Sequence, residues 1–265
     1  MTHIKFRGVP STPFLGVGTP SGPLPTGPST QGGQIVPLRR DLVIFDDFVH
    51  TSISTTVNTS QWHHALTAGH SIAIGPAHSA YGGTGYLLMN IDGTENSEGY
   101  LASNDNLFTP DTTRKIYFEA RLEVVTVTSA EVVFGLFEAD GSGQLAVGDL
   151  CATARAERHC GFYFNNSAVP TFSVGNSSSS ATLTTGHTVV GGDQTTFAFM
   201  YSPEDGAWTT WIDGVEIFSD NTTFADVFPG ETAGDQPLGL YFGVRNGAAA
   251  SSDLAIDYVY LHAEA

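Results

Sequence analysis

Carboxylates, imidazoles, thiols and indoles are the side chains here that could do chemistry, and their spacing limits which chemistry. A retaining glycosidase needs two carboxylates about 5–5.5 Å apart, one as nucleophile and one as acid/base. Alternate residues on one face of a strand supply such a spacing. The nearest pattern is Glu119 and Glu123, with Arg121 between them in KIYFEARLEVV. Three alternating charges of this kind describe a solvated sheet surface with cross-strand partners. Glu138 and Asp140 run into Gly141-Ser142-Gly143, where a turn accounts for them. No Gly-x-Ser-x-Gly elbow occurs, and Ser177–Ser180 sits in a polar loop. His63, His64, His70 and His78 match no closed metal motif. Cys151 and Cys160, with His159 beside them, lack a nameable fourth zinc ligand. They read as free thiols, or as a local disulfide if the segment folds back as a hairpin. The expectation is therefore no enzyme and no cofactor. Calcium is the one candidate ion, through the oxygen-rich stretches Asp92–Asn96 and Asn104–Asn106. Neither has regular calcium-ligand spacing, and turn chemistry explains both. Among the indoles, Trp208 and Trp211 are the possible glycan contacts. They lie three apart, so one extended strand turns them to opposite faces, one for the core and one for solvent.

The elements that must position these residues are strands. Ile116, Phe118, Ala120, Leu122 and Val124 alternate with Lys115, Tyr117, Glu119, Arg121 and Glu123, the period of a half-buried strand. Glu131–Glu138 follows after a short break, and the two are expected to pair as a hairpin. Trp208–Ile212 and Val215–Phe218, joined by Asp213-Gly214, are the clearest hairpin. Leu42–Phe45, Ser71–Ile74, Gly85–Ile91, Gly161–Asn165, Thr171–Gly175, Thr195–Tyr201, Leu238–Arg245 and Leu254–Leu261 complete the series. In the last, Leu254, Ile256, Tyr258 and Tyr260 alternate with Ala255, Asp257, Val259 and Leu261. The one helix candidate, Cys151–Cys160, is short. About a dozen strands with Gly, Pro and Asn turns predict an all-β, antiparallel two-sheet jelly-roll sandwich.

Charge divides the 265 residues in two. Residues 1–40 hold Lys5, Arg7, Arg39 and Arg40 and no acid, for +4, with seven Pro and seven Gly. Residues 41–265 hold six basic and 27 acidic side chains, for −21. Pro and Gly at that density prevent regular ladders, so 1–40 is expected as an extended N-terminal arm and 41–265 as the folded domain. Phe6, Phe14, Leu15, Leu24 and Ile35 punctuate the arm. With Lys5, Arg7, Arg39 and Arg40 they are the expected partner-binding residues, since a basic apolar segment is drawn to an acidic body and becomes ordered on binding. The acidic body repels phosphate, which argues against nucleic acid. No apolar run reaches a membrane span, and no signal-peptide h-region is visible.

The order "DDF…W", Tyr117–Arg121 followed by Val133–Glu138, the Trp211-Ile212-Asp213-Gly214-Val215 hairpin, and Val244-Arg245-Asn246-Gly247 followed by Asp257-Tyr258 resembles concanavalin A-like (laminin-G-like) jelly rolls. More narrowly it resembles structural proteins of tailed bacteriophages that carry such a domain. The resemblance covers residues 41–265. It implies a virion protein, a decoration or cement protein on the capsid surface, assembled in the host cytoplasm. Its implied partners are the major capsid protein and neighbouring copies of itself, in a closed oligomer such as a trimer. The alternative is a carbohydrate-binding adhesin module that takes host-surface glycan.

Overall fold

Nearly every stretch of alternating side chains in this sequence becomes a strand in the computed structural model. It describes residues 41–48, 53–54, 62–66, 71–76, 84–91, 93–103, 107–138, 158–176, 179–224, 227–229, 237–247 and 252–264. The strands are β1 (Leu42–Asp46), β2 (Ile53–Ser54), β3 (Trp62–Leu66), β4 (Ser71–Pro76), β5 (Thr84–Ile91), β6 (Glu98–Ser103), β7 (Ile116–Val124) and β8 (Ala130–Glu138), then β9 (His159–Asn165), β10 (Thr171–Gly175), β11 (Ser180–Thr184), β12 (Gln194–Ser202), β13 (Ala207–Ile212), β14 (Val215–Asp220), β15 (Leu238–Asn246) and β16 (Ser252–Ala263). The described residues contain no helix.

These strands form two sheets. The first runs β14-β13-β12-β7-β16-β5-β4, with β1 pairing β16 beyond the end of β5. The second runs β11-β10-β9-β8-β15-β6-β3-β2. Every pairing is antiparallel except β2 with β3. The expected two-sheet antiparallel sandwich is thus the fold.

Alternation makes the core. Phe118, Ala120 and Leu122 of β7, Phe197 and Phe199 of β12, and Val259 and Leu261 of β16 point inward from the first sheet. Phe134 and Leu136 of β8, Phe162 and Phe164 of β9, Phe172 of β10 and Phe242 of β15 meet them from the second. Rings touch across the interior: Phe134 and Phe197 lie 5.0 Å apart, and Phe118 and Phe242 6.4 Å. Each buried Phe contributes about 1.5–3 kcal/mol by leaving water. A favourable ring pair adds roughly 0.5–1.5 kcal/mol.

Asp46 explains the "DDF…W" spacing. Its Oδ1 accepts from the Phe48 amide at 2.8 Å, and its Oδ2 accepts from Trp62 Nε1 at 2.7 Å. Phe48 and Trp62 are buried against each other, with ring centroids 5.6 Å apart. One carboxylate therefore ties the exit of β1 to β3, in the opposite sheet.

Several sequence expectations are corrected. β7 and β8 do not pair as a hairpin: the turn at Thr126–Ser129 carries the chain from the first sheet to the second. Both strands face the same core, so periodicity cannot tell a hairpin from a crossing between layers. In β16 a bulge between Ile256 and Tyr258 inserts one residue, Asp257. Beyond it the alternation reverses, so Val259 and Leu261 are core while Tyr258 and Tyr260 face outward. His159 and Cys160 begin β9 instead of ending a helix; Cys151 lies outside the described residues. β2, β3, β6 and β11 are strands that the sequence analysis did not anticipate. The hairpin β13–β14 forms as expected, with Asp213 at φ 51° and Gly214 at φ 76°, the left-handed pair of a type I′ turn.

The chain divides into two units, Met1–Leu38 and Arg39–Ala265. Lys5, Phe6, Arg7, Phe14, Leu15, Leu24, Ile35, Arg39 and Arg40 all lie outside the described residues.

Candidate binding faces of the two sheets

Strand register lines up a row of side chains on the outer face of the first sheet. Trp211 of β13 stands opposite Ala198 of β12, Ala198 opposite Glu119 of β7, Glu119 opposite Tyr260 of β16, and Tyr260 opposite Phe45 of β1. Four interstrand steps of ~4.8 Å make this row about 19 Å long. A parallel row holds Thr209, Met200, Tyr117, His262 and Val43. Trp211, Tyr117, Tyr258 and Tyr260 are half-buried, whereas Phe45 is 63% and Val43 57% exposed. The face is thus a five-strand platform of rings, open to water at its β1 side.

Glu119 sits at its centre. Tyr258 OH donates to its Oε1 at 2.6 Å, and Tyr117 OH donates to its Oε2. Burial, then these hydrogen bonds to the carboxylate, hold both phenols well above their ordinary range. Burial and the Glu119 charge raise Tyr260 as well. Beside them Arg121 pairs with the bulged Asp257, and its guanidinium lies 5.7 Å from the Tyr258 ring centroid. Such a cation–ring contact contributes about 0.5–1 kcal/mol at an exposed site. Tyr86 of β5 accepts from Gln194 Nε2, and burial raises its phenol too.

The outer face of the second sheet carries a different ribbon of rings. His63 meets Tyr100 edge-on at 5.8 Å, and Tyr100 stacks on Tyr241 at 5.5 Å. Tyr241 meets Phe137 at 5.4 Å, and Phe137 stacks on His159 at 5.6 Å. His159 Nε2 shares a hydrogen bond of 2.8 Å with Ser173 Oγ. Gly135 and Gly161 face each other beside this ribbon. A Cβ on Gly135 would lie 2.5 Å from the Cys160 carbonyl oxygen, and one on Gly161 2.4 Å from that of Phe134. All these rings are buried. The first sheet, by contrast, turns its rings partly to solvent.

The chemistry-bearing residues of the sequence take these places. Trp208 is 1% exposed and packs on Phe172, Phe199 and Tyr201, so it presents no face to a sugar and is withdrawn as a glycan contact. Trp211 stands on the platform. Glu119 and Glu123 share the outer face of β7, but the expected solvated surface does not extend to Glu123, which is buried. Both oxygens of Glu119 are engaged by phenols, and Glu123 is 2% exposed. On the outer face of β8–β10, Glu131 is the one acid among the described residues, and Arg245 donates to it at 2.7 Å. His63 faces outward and His64 inward. Cys160 is a buried free thiol, its pKa pushed well up by burial. In the Thr94–Asn96 turn, Thr94 O accepts from Ser97 N at 3.2 Å and Asn246 Nδ2 at 3.3 Å, and Asn96 Oδ1 accepts from Arg245. Asp92 and Asn104–Asn106 lie outside the described residues. Among the described residues no group of three or more His, Cys, Asp or Glu could hold a metal. Sequence reasoning missed the phenol pair on Glu119. Its signal was the YFE of β7 facing the DYVY of β16, hidden because the Asp257 bulge reverses the second pattern.

No protein-family model and no curated protein matches this sequence. Solved structures do match its fold. A protein of unknown function from Shewanella oneidensis MR-1 aligns at 13% identity with a TM-score of 0.54, covering 84% of this chain and 87% of that one. Peanut lectin aligns at 9% identity with a TM-score of 0.55, covering 84% and 97%. A β-1,3-1,4-glucanase (lichenase) derived from a mouse hindgut metagenome aligns at 11% identity with a TM-score of 0.51, covering 83% and 98%. The domain therefore has the jelly-roll fold of the concanavalin A-like lectins and glucanases.

Proposed function

We propose that this chain is a non-catalytic saccharide-binding module that holds its ligand on the outer face of the first sheet. The observation that carries this is the row Trp211–Ala198–Glu119–Tyr260–Phe45. It sets aromatic faces beside a carboxylate and phenol oxygens on a rigid sheet. Sugar rings stack their C–H faces on such rings and hydrogen-bond through their hydroxyls. The lectins among its structural neighbours favour a saccharide as ligand. Testing uses a glycan array and the full-length protein. Wild type is retained on a subset of glycans, while Trp211→Ala and Tyr260→Ala each lose roughly tenfold or more in affinity with an unchanged melting temperature. Equal retention of both variants overturns the assignment to this face.

A second reading is favoured by the charge division of the sequence. In it the domain is displayed on a tailed-phage head as a decoration protein, and residues 1–40, at +4, tie the −21 domain to capsid subunits and neighbouring copies. Deleting residues 1–40 then leaves a folded β-protein that no longer joins the particle. Normal decoration by the truncated protein contradicts this.

A further inference from the structure

We infer that the platform selects neutral, hydroxyl-rich saccharide chains and rejects anionic ones. This rests on the saccharide reading above and goes on to the chemical class of ligand. The reason is the sign of the hydrogen-bonding groups. The Tyr117 and Tyr258 hydrogens both go to Glu119, so these three side chains have no hydrogen left to donate to a ligand. The neighbouring guanidinium of Arg121 is engaged by Asp257 on the same face. His262, at the β1 side, is 3.5 Å from the Asp41 carboxylate.

An acceptor-rich face suits a ligand that donates. Sugar hydroxyls donate as well as accept, whereas ionised carboxylates and sulfates only accept. Charge acts in the same direction. Glu119 and Asp257 stand on the face, and Asp41 and Asp253 at its rim, against Arg121 and His262. The domain behind them carries −21. An anionic chain lying along ~19 Å of this face stays within reach of that field at low salt, where the Debye length is ~30 Å. The row crosses five strands, which adds a shape requirement: the ligand runs across them as an extended chain.

The test pairs neutral polysaccharides with their own carboxymethylated derivatives, so that backbone and linkage stay constant within each pair. Affinity electrophoresis of the full-length protein is run at about 0.01 M and about 1 M ionic strength, with Debye lengths of ~30 Å and ~3 Å. The neutral member should retard the protein equally at both. The carboxymethylated member should bind weaker on the order of tenfold at low salt, and recover toward its neutral parent at high salt. Equal affinity within a pair at low salt, or tighter binding of the charged member, overturns the charge selection and leaves the saccharide reading standing. Retardation by no member of any pair overturns both.

Discussion

Single residues already set measurable behaviour. His64 points into the sandwich from β3, and burial, then the neighbouring His63, lowers its pKa below the ordinary 6.5. The folded state therefore resists a proton that the unfolded chain accepts. The linked stability is complete above pH ~6.5 and is lost as pH falls below it. Thermal melts from pH 7.5 down to 5 should show a falling melting temperature, and His64→Leu should flatten that slope. An identical slope in the variant would show that another group titrates. At the other end of the scale, burial and Glu119 keep the Tyr117 and Tyr258 phenols protonated in the fold. Above pH ~10 the unfolded chain ionises them and the folded chain does not, so stability is lost on further alkalinisation. Phenolate absorbance for these two should appear together with unfolding, and Tyr117→Phe should soften the alkaline transition. Phenolate formation well before unfolding would contradict the Glu119 cluster. The outward Tyr117 beside Glu119 was legible in the alternation of β7, whereas the inward His64 and the outward Tyr258 were not, because β3 was not anticipated and the Asp257 bulge reverses β16.

At the scale of elements, the sequence announced strands more clearly than their partners. The Asp213-Gly214 turn fixes β13 and β14 locally, and it was readable because a two-residue loop admits little else. The Thr126–Ser129 connection was not. β7 alternates and β8 is apolar on both faces, and a layer crossing suits both patterns as well as a hairpin does. The bulge at Asp257 was invisible for a related reason: Leu254-Ala-Ile-Asp-Tyr-Val-Tyr-Leu261 alternates plausibly in either frame, and only pairing with Glu119 through Arg121 chooses. The close approach of β8 and β9 gives the sharpest prediction at this scale. Gly135 has φ 142° and no room for a Cβ against the Cys160 carbonyl. Gly135→Ala should cost roughly 2–4 kcal/mol in chemical denaturation. Gly186→Ala, with φ 70° but open space around it, should cost about 1–2 kcal/mol from backbone strain alone. Equal losses would show that the two strands can separate without penalty.

For the molecule as a whole, an all-β sandwich followed from composition and period, while the choice of binding face needed three dimensions. Both sheets carry aromatic residues on their outer faces, and the sequence does not distinguish them. In the second sheet the ribbon from His63 to His159 is buried; in the first, Phe45 and Val43 remain open beside half-buried tyrosines. Trp211 was readable as a candidate from its three-residue offset to Trp208. Tyr258, Tyr260 and Phe45 were not, because they come from opposite ends of the chain and meet only when β1 pairs with β16. In the proposed function this assembled row binds saccharide. The most direct measurement is titration of the retained glycan into wild type and a Trp211→Ala/Tyr260→Ala double variant, with melting temperature measured alongside. The prediction is loss of at least about a hundredfold in affinity, the sum of two contacts of ~1.4 kcal/mol each, at unchanged stability. Full affinity in the double variant would place the ligand elsewhere and contradict the account.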